Sequence, residues 1–210
     1  MKYKVMIVED QTMPSELFEL RIQASEHFEV ALSIDNAALA DVYCLRFPVD
    51  LILMDVVTRN GESGLDAAER IKRTFPQIKI IIVTSMPECS YLSRAREIGV
   101  ESFWYKEEQR ESLLDMMERT MAGESVYPDA TPELQLGLAS SYKFTDRELE
   151  VLREMTGGDT NQEIAERLHM SVATVKTHIL NMLEKTGFKN RTELAVRARE
   201  SGLVILNRKN

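Results

Sequence analysis

Five short apolar runs punctuate the first 122 residues: Val5–Val8, Phe28–Ile34, Leu51–Met54, Lys79–Thr84 and Ser102–Tyr105. After each comes a longer stretch in which apolar residues return every three or four positions, near 13–25, 36–46, 64–74, 88–98 and 108–122. Two of the runs, Leu51-Ile52-Leu53-Met54 and Ile80-Ile81-Ile82-Val83, are continuous rather than alternating. Continuous runs mark strands covered on both faces, as in a parallel sheet flanked by helices. Five strand–helix units in series predict an α/β doubly wound domain with a five-stranded parallel sheet over 1–122. Right-handed crossovers then bring functional residues to the carboxyl ends of the strands.

From 123 to 142 the periodicity fades, with Pro128, Pro132, Gly137 and Ser140-Ser141, which predicts a linker holding a short helix around 132–139. Beyond it the pattern is purely helical, over 146–156, 161–168, 172–185 and 191–201, predicting a small all-α domain across 143–210. Thr145-x-x-Glu148, Thr160-x-x-Glu163 and Asn190-x-x-Glu193 are capping boxes, and Ser171 caps a further helix without the reciprocal glutamate. Gly157-Gly158, Gly187 and Gly202 supply the stops. In 172–185, Val172, Val175, Ile179, Met182 and Leu183 share one face, leaving Lys176, Thr177, Leu180, Asn181 and Glu184 outward. With the helix at 161–168 and the turn His169-Met170-Ser171 this makes a helix-turn-helix, a pattern that an ordinary helical bundle also satisfies.

Composition narrows the setting. The 210 residues, 44% hydrophobic and 29% charged, are ordinary for a globular protein with two cores. No window approaches the roughly 20 apolar residues of a membrane span, and the start of the chain is unlike a signal peptide, so a cytoplasmic setting is expected. Cys44 and Cys89 have neither metal nor redox spacing, and His27, His169 and His178 are scattered. The net charge of −8 is uneven: residues 167–210 hold 9 Lys and Arg against 3 Asp and Glu, while 125–166 hold 3 against 9. Positive charge gathered at the end fits a nucleic-acid surface or a solvated basic tail.

The candidate chemistry lies at the strand ends. Glu9 and Asp10 follow the first strand and Asp55 the third, so three carboxylates converge on one edge. Such a cluster repels itself unless a cation joins it, and hard oxygen ligands suit Mg²⁺. Thr84 ends the fourth strand and Lys106 follows the fifth, a hydroxyl and an ammonium suited to a phosphoryl group on a carboxylate. The segments Val8-Glu9-Asp10, Asp50-Leu51-Ile52-Leu53-Met54-Asp55, Ile82-Val83-Thr84-Ser85 and Phe103-Trp104-Tyr105-Lys106 resemble the receiver domain of two-component response regulators, a flavodoxin-like fold, over all of 1–122. The resemblance implies that Asp55 takes phosphate from a partner sensor histidine kinase. It implies Mg²⁺ on Asp10, Asp55 and the backbone carbonyl of Val57, with Glu9 helping through water. It also implies that Thr84 and Lys106 bind phosphoryl oxygens and that Phe103 is the aromatic that swings inward when Thr84 moves. The sequence departs from the family in two places. Thr58-Arg59-Asn60 replaces the usual Met-Pro, with Gly64 one residue late, and Glu107 replaces a frequent cis proline, leaving a trans bond or a strained turn.

Phe144-Thr145-Asp146-Arg147-Glu148-Leu149-Glu150-Val151-Leu152, Thr160-Asn161-Gln162-Glu163-Ile164-Ala165 and Thr174-Val175-Lys176-Thr177-His178 are similar to the effector domain of NarL/LuxR-type regulators, over about 143–205. That similarity implies double-stranded DNA as partner. Lys176 and Thr177 would face the groove, and Leu180 would stand where a polar base contact is common. Asn161, Thr174, Lys185 and Arg191 would contact phosphates. The last helix would pair two effector domains as a homodimer on DNA, with Val196 at the contact.

Two other functions fit parts of the chain. One is a pseudo-receiver that binds DNA without taking phosphate. The other is an aspartyl-phosphate phosphotransfer enzyme, which is disfavoured because Val57 supplies no acid or base two residues past Asp55.

In receivers the residues two beyond the phosphoacceptor and two beyond the hydroxyl flank the path of the attacking water; here they are Val57 and Met86, neither able to position one. The phosphorylated form is therefore expected to be long-lived. Decay followed by intact mass, with Mg²⁺ and no kinase, should be slower than in a Val57→Asn, Met86→Glu double variant. Loss within seconds would refute it.

Overall fold

A computed structural model of the chain describes residues 2–59, 62–85, 89–106, 112–129 and 131–204. Among these, the chain divides into two compact units, one running to residue 129 and the other from 131 onward. No helix among the described residues is long and apolar enough to cross a membrane.

The first unit is the doubly wound domain that the pattern predicts. Strands β1 (Tyr3–Val8), β2 (Phe28–Ile34), β3 (Leu51–Asp55), β6 (Lys79–Thr84) and β7 (Ser102–Tyr105) form a parallel sheet in the order β2-β1-β3-β6-β7. The order reverses between β1 and β3, and the ends of these strands carry Glu9, Asp10 and Asp55. Helices α1 (Thr12–Gln23), α2 (Ala40–Arg46, after a 3₁₀ turn at Ala37–Leu39), α3 (Gly64–Thr74), α4 (Cys89–Ile98) and α5 (Leu113–Met121) cover it. Alternation along each strand sorts the apolar side chains into two layers. Met6, Ile52, Met54, Ile80, Ile82 and Phe103 fill one; Val5, Ile7, Leu51, Leu53, Ile81 and Val83 fill the other with Phe18 and Met117. All of β3 is buried, which accounts for its unbroken apolar run.

The late position of Gly64 is resolved by a two-stranded hairpin, β4 (Val57–Thr58) with β5 (Glu62–Ser63), which takes up the added length. Thr58 is buried; its hydroxyl accepts from the Ala37 amide (2.9 Å) and donates to the Glu62 carbonyl (3.2 Å). Arg59 is held by Asp35 through backbone (3.1 Å) and side chain (2.5 Å). The hairpin returns the chain so that the Gly64 amide donates to Val56 O at 2.8 Å. A Cβ on Gly64 would lie 1.8 Å from the carbonyl oxygen of Asp55, so glycine is required there by space. Glu107, Asn60 and Met86 lie outside the described residues.

In the second unit, α6 (Asp146–Thr156), α7 (Asn161–Arg167), α8 (Val172–Thr186) and α9 (Arg191–Glu200) surround Leu149, Leu152, Ile164, Val175, Met182 and Leu194. Thr145 and Thr160 form full capping boxes with Glu148 and Glu163. Asn190 caps α9, but Glu193 reaches back to the Lys189 amide (2.9 Å), one residue beyond the expected partner. Ser171 caps α8 as read.

The stretch 123–142 is not a free linker. Residues up to 129 pack with the first unit and those from 131 with the second. The helix expected around 132–139 is instead a hairpin, β8 (Gln135–Leu136) with β9 (Ala139–Ser140). Gly137 turns it with φ of 60°, a left-handed angle open to glycine at the first position of a two-residue turn. Leu136 and Ala139 are buried, and the Leu138 amide donates to the Thr186 carbonyl (2.9 Å), satisfying an end group of α8.

Gly64→Ala is expected to destabilise the first unit by about 1–3 kcal/mol through overpacking. Because the clash falls on the backbone of Asp55, chemistry at that residue should slow by up to roughly 100-fold, the scale of a 1 Å misplacement. Chemical unfolding together with modification rates checks both; a variant of native stability and reactivity would refute the contact.

Candidate functional sites: an acidic pocket and a helix-turn-helix face

Glu9, Asp10 and Asp55 meet as the sequence predicts, their ligand oxygens within 4.8 Å of one another. Glu9 and Asp55 are buried and Asp10 is exposed, so the cluster opens to solvent on one side. The Glu9 carboxylate accepts from the Gln11 amide (3.1 Å) and that of Asp55 from the Val56 amide (2.7 Å). Between the two stands Lys106, its ammonium 2.5 Å from Glu9 Oε2 and 2.8 Å from Asp55 Oδ2. The Lys106 amide donates to the Thr84 carbonyl (2.9 Å), fixing the lysine to the β6 end. Thr84 is buried beside it, opposite Tyr105 in the sheet register. A cleft of about 510 Å³ adjoins Glu9 and Asp10, bordered by Thr12, Ser15, Asp35 and Arg59.

Burial pushes the Asp55 carboxyl up to about 6, and the charge of Glu9 acts in the same sense, while Lys106 pulls it back. Burial works against the Lys106 ammonium too, but Asp55 and Glu9 outweigh it and hold its pKa above the ordinary lysine value. Among the described residues the cluster is short of positive charge: Lys106 pairs with two of its three carboxylates, Glu9 and Asp55. Hard oxygens with one open side fit a divalent ion that keeps part of its water shell. Val57 is half-buried at the start of the hairpin, and Phe103, expected to swing inward, is already fully buried here with its ring 5.1 Å from that of Tyr105.

On the second unit, α7, a tight turn and α8 form the helix-turn-helix. His169 takes a left-handed φ of 52° in the turn. Lys176, Thr177, Leu180, Asn181 and Glu184 are all exposed on α8, with Leu180 65% exposed. The Thr177 hydroxyl donates to the Ala173 carbonyl (3.0 Å), and Thr174 shares the N-terminal cap with Ser171 (2.8 Å). Arg191 donates to Asn161 Oδ1 (3.0 Å) and the Asp159 carbonyl (2.8 Å), bringing those two predicted residues together. Val196 is 49% exposed on α9.

Lys185 departs from the expectation of a phosphate contact. Its ammonium is taken up by both carboxylate oxygens of Glu148 (2.8 and 2.6 Å) and by the Lys143 carbonyl (2.8 Å), above the Phe144 ring. Glu148 is the residue that completes the α6 capping box, so this ion pair ties α6 to the end of α8. Sequence reasoning found both residues but not their union, because they lie 37 positions apart. Burial opposes the Glu148 charge, yet Lys185 and the Thr145 amide outweigh it and hold its pKa below the ordinary value.

The family model for the response regulator receiver domain matches residues 5–118, and that for bacterial regulatory proteins of the luxR family matches 142–198. The response regulator protein VraR of Staphylococcus aureus is 31% identical across 97% of this chain and 100% of its own. Two solved structures share the fold at 18% identity. One, of two RcsB dimers bound to two parallel DNAs, has a TM-score of 0.61 and covers 95% of this chain and 98% of that one. The other, RcsB from Salmonella enterica serovar Typhimurium bound to promoter rprA in the presence of the phosphomimetic BeF₃⁻, has a TM-score of 0.60, covering 93% and 98%.

Stability from the Glu148–Lys185 pair is expected to be present at neutral pH, above the unfolded carboxyl value of about 4.3. It is lost as pH falls through the depressed folded value. Glu148→Gln should therefore cost the second unit about 1.5–3 kcal/mol at pH 7, the range for a hydrogen bond to a charged group. Thermal unfolding from pH 7 downward should show the gap closing below about pH 4; an undiminished gap would remove the ion pair as its cause.

Proposed function

The chain belongs to the two-component response regulators of the NarL/LuxR type, and from that premise we propose that phosphorylation of Asp55 governs its binding to promoter DNA. It is a transcriptional regulator rather than an enzyme. One observation carries the phosphoacceptor reading: Asp55 lies buried at a central strand end within hydrogen-bond reach of Lys106, beside Glu9 and Asp10.

The donor is the phosphohistidine of a sensor kinase. A carboxylate oxygen of Asp55 attacks phosphorus, the P–N bond to histidine breaks, and the imidazole leaves with the electron pair. The cleft by Asp10 gives access. Lys106, which pairs Asp55 with Glu9, turns to the phosphoryl oxygens, and the Thr84 hydroxyl donates to another. Asp10, Asp55 and the Val57 carbonyl, with Glu9 assisting through water, would hold Mg²⁺, which would supply positive charge against the phosphoryl oxygens. Phe103 is the switch aromatic.

The second unit works in the cytoplasm as the DNA reader. Lys176, Thr177 and Leu180 are aimed at the major groove, Leu180 limited to apolar contact such as a thymine methyl. Asn161, Thr174 and Arg191 bind phosphates, and α9 pairs two copies through Val196. Lys185 is reassigned from phosphate contact to holding α8 against α6.

Incubation with acetyl phosphate and Mg²⁺, with mass and promoter affinity read together, tests the proposal. Wild type should gain one phosphoryl group and change affinity; Asp55→Asn should do neither while remaining folded. Lys176→Ala should lower the slope of log affinity against log salt by roughly 0.9, and Lys185→Met should leave that slope unchanged. Phosphate uptake by Asp55→Asn, or an unaltered Lys176→Ala, would overturn the corresponding assignment.

A further inference from the structure

Strand β7 is the outer strand of the sheet, so its outward backbone groups need partners. One of them, the Phe103 amide, finds its partner in the segment just beyond α5. The Phe103 amide donates to the Val126 carbonyl (2.9 Å). The Val126 amide donates to Ser102 Oγ (3.2 Å), which shares a second bond with Thr120 Oγ1 of α5 (2.7 Å). Side chains alternate as in a strand: Val126 enters the layer with Leu113 and Met117, and Tyr127 packs against the opposite layer. The Tyr127 ring lies 6.3 Å from that of Phe103. Its hydroxyl donates to the Val100 carbonyl (2.7 Å), and the Arg96 guanidinium of α4 sits 4.8 Å above it. Burial pushes the phenol up to about 12, so it remains a neutral donor.

Phe103 is therefore enclosed between Tyr105 and Tyr127, with no exposed surface. In a close-packed interior such a ring moves only if a neighbour yields. Tyr105 is in the sheet, opposite Thr84. Tyr127 is in the segment that leads, four residues later, into the second unit at Thr131.

We propose that residues 124–127 form a strap on the β7 edge, and that Tyr127 is a positioning residue that holds Phe103 in its buried place and couples Asp55 to the exit of the chain. The inference rests on the phosphoacceptor reading above and extends it. Phosphoryl binding draws Thr84 and Phe103 from their resting places, Tyr127 loses its packing partner, and the strap loosens. Linkage makes this reciprocal: loosening the strap by mutation must favour the phosphoryl-bound state by the same factor.

Hydrogen–deuterium exchange of the full chain in Mg²⁺, with and without beryllofluoride, tests it. Beryllofluoride should speed exchange of the Phe103 and Val126 amides by at least about fivefold, the lower end of site-to-site coupling. Tyr127→Ala, and more mildly Tyr127→Phe, which removes only the bond to Val100, should bind beryllofluoride about fivefold more tightly than wild type. A residue with a packing role alone would lower affinity or leave it unmoved. If Tyr127→Ala fails to fold, Tyr127→Phe decides the sign. Binding by wild type with unchanged exchange, or variants that bind no tighter, would overturn the strap and leave Asp55 standing. A wild type that takes up no beryllofluoride would overturn both.

Discussion

Taking a carboxylate out of water is unfavourable by several kcal/mol unless a cation shares its surroundings. In this chain two buried carboxylates, Glu9 and Asp55, depend on one ammonium. That dependence sets the arrangement of the first unit. Lys106 reaches the pocket because β7 is in register with β6, and Asp55 because β3 lies at the centre of the sheet. The pocket is short of positive charge in its resting form. Hard oxygens with one open side are the chemistry that a divalent ion would complement.

The second unit applies the same physics to a different end. Glu148 is buried at the start of α6, and Lys185 neutralises it from the end of α8. A lysine in a region of net positive charge thereby has its ammonium engaged in aligning α6 and α8. The charge count of the last 44 residues therefore includes a cation already paired within the unit.

Much of this was legible before any coordinates. Unbroken apolar runs marked β3 and β6, capping boxes located α6 and α7, and the order of acidic, hydroxyl and amino groups located the pocket. These signals are local, spanning at most a few turns. What escaped was of two kinds. Lys185 with Glu148, Asn161 with Arg191 and Phe103 with Val126 are partners through space, and no periodicity reports them. The β8–β9 hairpin is local but too short to show a period: each strand is two residues, with only Leu136 and Ala139 buried on either side of the Gly137 turn. The added residue before Gly64 looked like a defect by counting, yet the hairpin restores the spatial contact with Asp55.

The strap also bears on how the molecule is made. A ribosome delivers the five strands first, and α5 follows; residues 124–127 come only after that helix. Until they emerge, the Phe103 amide of β7 lacks its partner, leaving an edge open to pairing with an extended chain nearby. The receiver is thus finished not by its last helix but by the first residues of what looked like a tether. A fragment ended at 122 would keep every strand and helix and still lack its closing edge.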